Sequence, residues 1–130
     1  MLSNLAQRIA RSFPNRIHFN WDLFENRRLL AEKPSFFEEI QRKDGSTPLV
    51  IFDEIHKYRR WKNYLKGVYD QFSGEYKFLV LGSGRLNLFQ KGGDSLAGRF
   101  QLERFRTGRL HAALCSEQGR GGSGLLGSAG

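Results

Sequence analysis

The sequence predicts an α/β domain in which a parallel sheet is layered between helices, and three observations predict it. Leu49, Val50, Ile51 and Phe52 form an uninterrupted apolar run, the composition of a strand buried on both faces. Phe78, Leu79, Val80 and Leu81 form a second such run. Between them Trp61, Leu65, Val68 and Phe72 recur at helical spacing, a stripe whose burial stabilises by about 1.5–3 kcal/mol per side chain. Strand, helix and strand in alternation imply helices packed over a sheet.

The elements follow in order. Leu2, Leu5, Ile9 and Phe13 recur every three or four residues and predict an N-terminal helix, ended by Pro14 and Asn15. Residues 16–20 read as a short strand, and residues 22–32 are mixed and irregular. Pro34 and Ser35 then open a helix that can turn Phe36, Phe37 and Ile40 to a core. Asp44-Gly45-Ser46-Thr47-Pro48 is a loop into the first apolar run, and Ser73-Gly74-Glu75 turns the chain into the second, a strand over 77–81. Residues 101–105, with Leu102 between polar neighbours, read as a last short strand. From Gly119 onward the sequence is GRGGSGLLGSAG, too poor in apolar side chains to offset the entropy of ordering.

Composition narrows the function. A chain of 130 residues has room for one domain. The net charge of +8 and pI near 10.1 make nucleic acid a candidate partner, although acids are interspersed with the bases almost throughout. The single cysteine, Cys115, has no internal partner, and His18, His56 and His111 are too scattered to suggest a metal site. A reducing, cytoplasmic setting fits. No stretch reaches the roughly 20 apolar residues that span a bilayer, so no membrane association is expected. The acid-free start MLSNLAQRIARSF reads equally as an amphipathic core helix or as an organellar transit peptide.

Three constellations carry chemistry. In LVIFDE, residues 49–54, the apolar run delivers Asp53 to the C-terminal end of a strand, where α/β sheets place their ligand crevices. Asp53 there can hold a water of a Mg²⁺ that bridges nucleotide phosphates, and Glu54 can polarise an attacking water as general base. The same residues also read as a buried strand ending in an acidic turn. In FLVLGSGR, residues 78–85, a parallel neighbour would bring Ser83 near that pair, its hydroxyl orienting the water or sensing the γ-phosphate, against the plain reading of a Gly-Ser turn. In KGGDSLAGR, residues 91–99, Gly92 and Gly93 permit close backbone approach. Arg85 and Arg99 can neutralise phosphate charge, in this molecule or a neighbouring one, and solvated surface is the plainer reading. Against these stands a negative: a phosphate-binding loop needs G-x-x-x-x-G-K-[ST], and the sequence has no Gly-Lys dipeptide.

Together, LVIFDEIHKYRRWKNYLKGVYDQF and FLVLGSGRLNLFQKGGDSLAGRF resemble the core of prokaryotic AAA-type ATPases that usually carry a nuclease-like C-terminal domain, over residues 16–100. The resemblance implies a partial P-loop NTPase-type parallel sheet with flanking helices, its first strand and P-loop missing, and ATP and Mg²⁺ as cofactors. It makes Asp53 and Glu54 the Walker B pair, with Mg²⁺ held by Asp53 through water. It makes Ser83 the sensor position and puts Arg99 in the arginine-bearing segment that follows. Residues 1–105 are then a partial ATPase core, and residues 106–130, which depart from the family, a divergent Gly/Ser-rich tail expected to be disordered, as after a truncation or frameshift. In such sheets the absent strand lies beside the sensor strand, so residues 78–81 are expected to present an unpaired apolar edge open to self-association. Without the phosphate cradle, the chain alone is expected to bind nucleotide weakly and to hydrolyse it slowly or not at all. The alternative is a non-enzymatic basic module that meets nucleic acid or a protein partner through Arg59, Arg60, Lys62 and Lys66, residues that also suit the solvated face of a helix.

Overall fold

The computed structural model describes residues 4–82, 96, 98–103 and 111–115. Helix α1 (Asn4–Arg11) leads into strand β1 (Arg16–Asn20), helix α2 (Phe24–Glu32) and strand β2 (Leu49–Asp53). Helix α3 (Trp61–Phe72), strand β3 (Lys77–Gly82), strand β4 (Phe100–Glu103) and strand β5 (His111–Cys115) follow. The strands form one five-stranded sheet in the order β1-β2-β3-β5-β4. Its first three strands are parallel. β5 runs antiparallel to β3, and β4 antiparallel to β5. The expected α/β architecture is present, as a mixed sheet with flanking helices.

The apolar runs behave as a doubly covered sheet requires, with every residue of β2 buried. On one face Phe19, Val50, Phe52, Phe78 and Val80 pack against Leu65, Val68 and Phe72 of α3 and against Phe36 and Phe37. Phe37 is the centre of that face: its ring meets those of Phe72, Tyr76 and Phe78 edge-on at centroid distances of 5.0, 5.1 and 5.5 Å. Such pairs add about 0.5–1.5 kcal/mol beyond area burial. On the other face Leu49, Ile51, Leu79 and Leu81 pack with Ala112 and with Ile9, Ala10 and Phe13 from α1 and its exit. Ser12 and Phe13 close α1 by donating to the carbonyls of Ile9 and Ala10, so the helix stops just ahead of Pro14 as its sequence requires.

Four expectations are corrected. Residues 22–32 are not irregular, since Phe24–Glu32 is helical. α2 buries only Leu30 and leaves Leu23, Phe24 and Leu29 exposed around it, so the apolar stripe that announces a helix is missing. The helix expected after Pro34 is a single 3-10 turn, Phe36–Glu39, which suffices to bury both phenylalanines. The edge of β3 is not unpaired: β5 pairs with it from Leu79↔Leu114 to Gly82↔His111. The segment expected as tail therefore contains a strand, and Cys115 is buried in it outside any disulfide. Residues 116–130, including the Gly/Ser-rich stretch, lie outside the described residues. Among the described residues no helix is long and apolar enough to cross a membrane.

Candidate functional site

The C-terminal ends of β1, β2 and β3 lie side by side, since Asn20 is opposite Asp53 and Asp53 opposite Leu81. The end of β2 is tied on both flanks. The Trp21 amide donates to the Asp53 carbonyl at 2.9 Å, and the Glu54 amide donates to the Leu81 carbonyl at 2.8 Å. Side chains alternate across a strand, which turns Phe52 to the α3 face and Asp53 to the α1 face. Asp53 is buried, one of two buried polar residues among the described residues, the other being Asn15. A carboxylate in that position requires a polar partner, and it has one: His18 Nε2 lies 3.0 Å from Asp53 Oδ2.

Glu54 leaves the sheet abruptly. Its φ of 60° and ψ of 25° place it in the left-handed helical region. Among the described residues it is the only non-glycine with positive φ. That conformation turns the chain into the 3-10 turn Ile55–Lys57 and anchors it through Ile55, fully buried in the α3-side core. The Glu54 carboxylate lies 3.6 Å from both His56 Nε2 and Lys57 Nζ, ion-pair range but longer than a hydrogen bond. Lys57 also donates to Asp22 Oδ1 at 2.8 Å, and that bond holds its ammonium above the usual lysine range. His56 Nδ1 is buried with no hydrogen-bond partner among the described residues. The strand end thus gathers the Asp53 and Glu54 carboxylates, the His56 imidazole and the Lys57 ammonium within five residues of sequence, with the His18 imidazole brought in from β1.

Asp53 and Glu54 stand where the sequence places them, adjacent at the end of a buried parallel strand. Ser83 and Arg85 lie outside the described residues, as do residues 91–95. The strand that leads to Ser83, β3, is the immediate neighbour of β2, as expected. Arg99 is placed elsewhere. Its Nε and Nη2 donate to the two carboxylate oxygens of Asp70 at 2.8 and 3.1 Å, a bidentate clamp onto α3. That contact lowers the Asp70 carboxyl below its usual range and raises the guanidinium above its own. α3 covers the face opposite to the one Asp53 joins, so Arg99 and Asp53 are not brought together in this chain. Of the basic residues considered for a nucleic-acid face, Arg59 and Arg60 are exposed, whereas Lys62 and Lys66 are half-buried along α3.

His18 is the site residue that sequence reasoning missed. The legible signal was parity: in RIHFN the buried Phe19 faces one way, so His18 faces the other, the side that Asp53 joins once β1 and β2 pair in parallel.

A buried carboxylate is a hard oxygen donor suited to Mg²⁺, yet among the described residues no group of three or more His, Cys, Asp or Glu could hold a metal ion. A family model described as an AAA domain matches residues 2–108 of the chain. No curated protein and no solved structure matches it.

Proposed function

The chain belongs to the AAA domain family, and from that membership we propose that it is an ATPase-related nucleotide module whose reacting pair is Asp53 and Glu54. The observation that carries the reading is the end of β2: a buried aspartate on a central parallel strand, followed at once by a glutamate in a strained conformation. Buried charge and backbone strain are both unfavourable to folding and concentrate where chemistry needs them. In this reading Mg²⁺ neutralises phosphate charge, with Asp53 holding one of its waters. Glu54 polarises the attacking water. Ser83 orients that water from the neighbouring strand, and Arg85 meets phosphate. Arg99 would have to exchange Asp70 for phosphate to take part, so its first role in this chain is to clamp the turn before β4 onto α3.

The 130 residues contain no Gly-Lys dipeptide, hence no amide cradle of the G-x-x-x-x-G-K-[ST] kind. By themselves they are proposed to bind Mg·ATP weakly and to turn it over slowly or not at all. Titration of a fluorescent ATP analogue with and without Mg²⁺ tests this. The expected result is weak binding with a Mg²⁺-dependent component that Asp53→Ala reduces about tenfold, equivalent to about 1.4 kcal/mol. Glu54→Gln leaves that component in place. Binding that ignores both Mg²⁺ and Asp53→Ala would sink the reading, and robust turnover abolished by Glu54→Gln would overturn the inactivity.

A second reading rests on Arg59 and Arg60, exposed ahead of α3, as contacts for nucleic-acid phosphates. It requires DNA affinity that falls steeply with salt, and no binding at low salt removes it.

A further inference from the structure

The His18–Asp53 contact has no explanation in packing. His18 sits on the edge strand β1, with 39% of its side chain exposed, while the Asp53 side chain it reaches is 10% exposed. Position 18 needs no imidazole to fill space, so the imidazole serves the carboxylate, which is buried and requires a polar partner. An ionised carboxylate only accepts, so His18 Nε2 carries the hydrogen and donates to Asp53 Oδ2. The geometry is diagonal: His18 is opposite Ile51 in the β1–β2 register, and its ring spans the two residues to Asp53 along their shared face. The bond also arrives from the β1 side of β2, away from β3 and the strand end that leads to Ser83.

We propose that His18 is the positioning residue for Asp53: its Nε2–H holds the carboxylate in one orientation, so that a Mg²⁺-bound water meets an acceptor already aligned. This rests on the reading of Asp53 as the magnesium-side carboxylate, and it adds a residue on another strand to that site. Groups that orient a ligating side chain from behind typically change metal affinity about 10–100-fold when removed.

The test compares His18→Ala, His18→Asn and His18→Gln with Asp53→Ala. Glutamine places its amide nitrogen the same number of bonds from Cα as His18 places Nε2, whereas asparagine falls short. Three quantities are read: Mg²⁺-dependent binding of a fluorescent ATP analogue, its Mg²⁺-free binding, and thermal stability. His18→Ala and His18→Asn are expected to lose about tenfold in the Mg²⁺-dependent component, with Mg²⁺-free binding unchanged and thermal stability lowered by the unpaired carboxylate. His18→Gln is expected to recover most of it, and His18→Ala adds nothing once Asp53→Ala is present. Independently of nucleotide, long-range ¹H–¹⁵N spectra are expected to show His18 in its Nε2–H form, lost in Asp53→Ala. If Asp53→Ala weakens Mg²⁺-dependent binding and His18→Ala does not, the positioning role fails and the functional reading stands. If Asp53→Ala has no effect on binding, the functional reading itself fails. Equal losses with and without Mg²⁺, unrescued by glutamine, would make His18 merely structural and overturn the proposal.

Discussion

Glu54 holds φ 60° and ψ 25° in a region that costs a side chain with a Cβ about 1–2 kcal/mol and glycine almost nothing. The cost separates cleanly from the carboxylate by comparing two variants that both lack it. At an ordinary strand or helix position the alanine variant is the more stable by about 0.5–1 kcal/mol. At position 54 the order is expected to invert, with Glu54→Gly more stable than Glu54→Ala by about 1 kcal/mol in urea denaturation. Alanine equal to or above glycine would show that the left-handed conformation is not held in solution. An inversion would mean that this sequence keeps a side chain with a Cβ where the backbone conformation favours glycine. That choice makes physical sense if the carboxylate, brought within 3.6 Å of His56 and Lys57, has work outside folding.

At the scale of elements, the entry to the sheet is fixed by Asn15, buried in the loop between α1 and β1. Its amide nitrogen faces the carbonyls of Asp44 and Ser46 at 3.0 and 3.1 Å and the Asp44 carboxylate at 3.0 Å. Its own carbonyl accepts from the Lys43 amide, and the Asn15 main-chain carbonyl accepts from Leu49 at 2.8 Å. One side chain thereby sets where the 43–48 loop delivers β2 beside β1. Asn15→Ala leaves several of these groups unpaired and is expected to cost about 1–3 kcal/mol, read as a lower urea midpoint with unchanged slope. The same loop gives a pH dependence. The Ser46 hydroxyl and amide hold the Asp44 carboxyl below its usual range. A lowered folded-state pKa contributes stability that is full above the unfolded value and lost as pH falls through the folded one. Stability is therefore expected to decline from mildly acidic pH downward, with a shallower slope in Asp44→Asn. An unchanged slope would show that the turn does not hold Asp44 in solution. Neither Asn15 nor α2 was legible as an element-defining feature. A polar residue after proline reads as a loop, and a helix with one buried residue has no stripe. The strands were legible because continuous apolar runs have few other fates.

For the molecule as a whole, the sheet changes direction where the parallel strands end. β1, β2 and β3 and the adjacency of Asp53 and Glu54 followed from the sequence. The strand that completes β3 did not, since HAALC is short and two of its five residues are alanines. Those alanines suit the position: Ala112 and Ala113 are fully buried opposite Leu81 and Val80, each on a different face. Their small side chains let β5 lie against β3 beneath helices that larger residues would displace. The Phe78 amide adds a contact to Cys115 Sγ at 3.2 Å. β5 thus supplies the pairing that keeps β3, an apolar strand of high aggregation potential, from becoming an open edge. Ala113→Pro removes the amide of a central β5 residue and wedges a ring into the ladder. Its expected outcome is loss of β5 pairing, binding of a hydrophobic dye, and concentration-dependent association in light scattering, with the Phe37-centred core on the α3 face still formed. A monomer with unchanged thermal stability would show that β3 does not depend on β5.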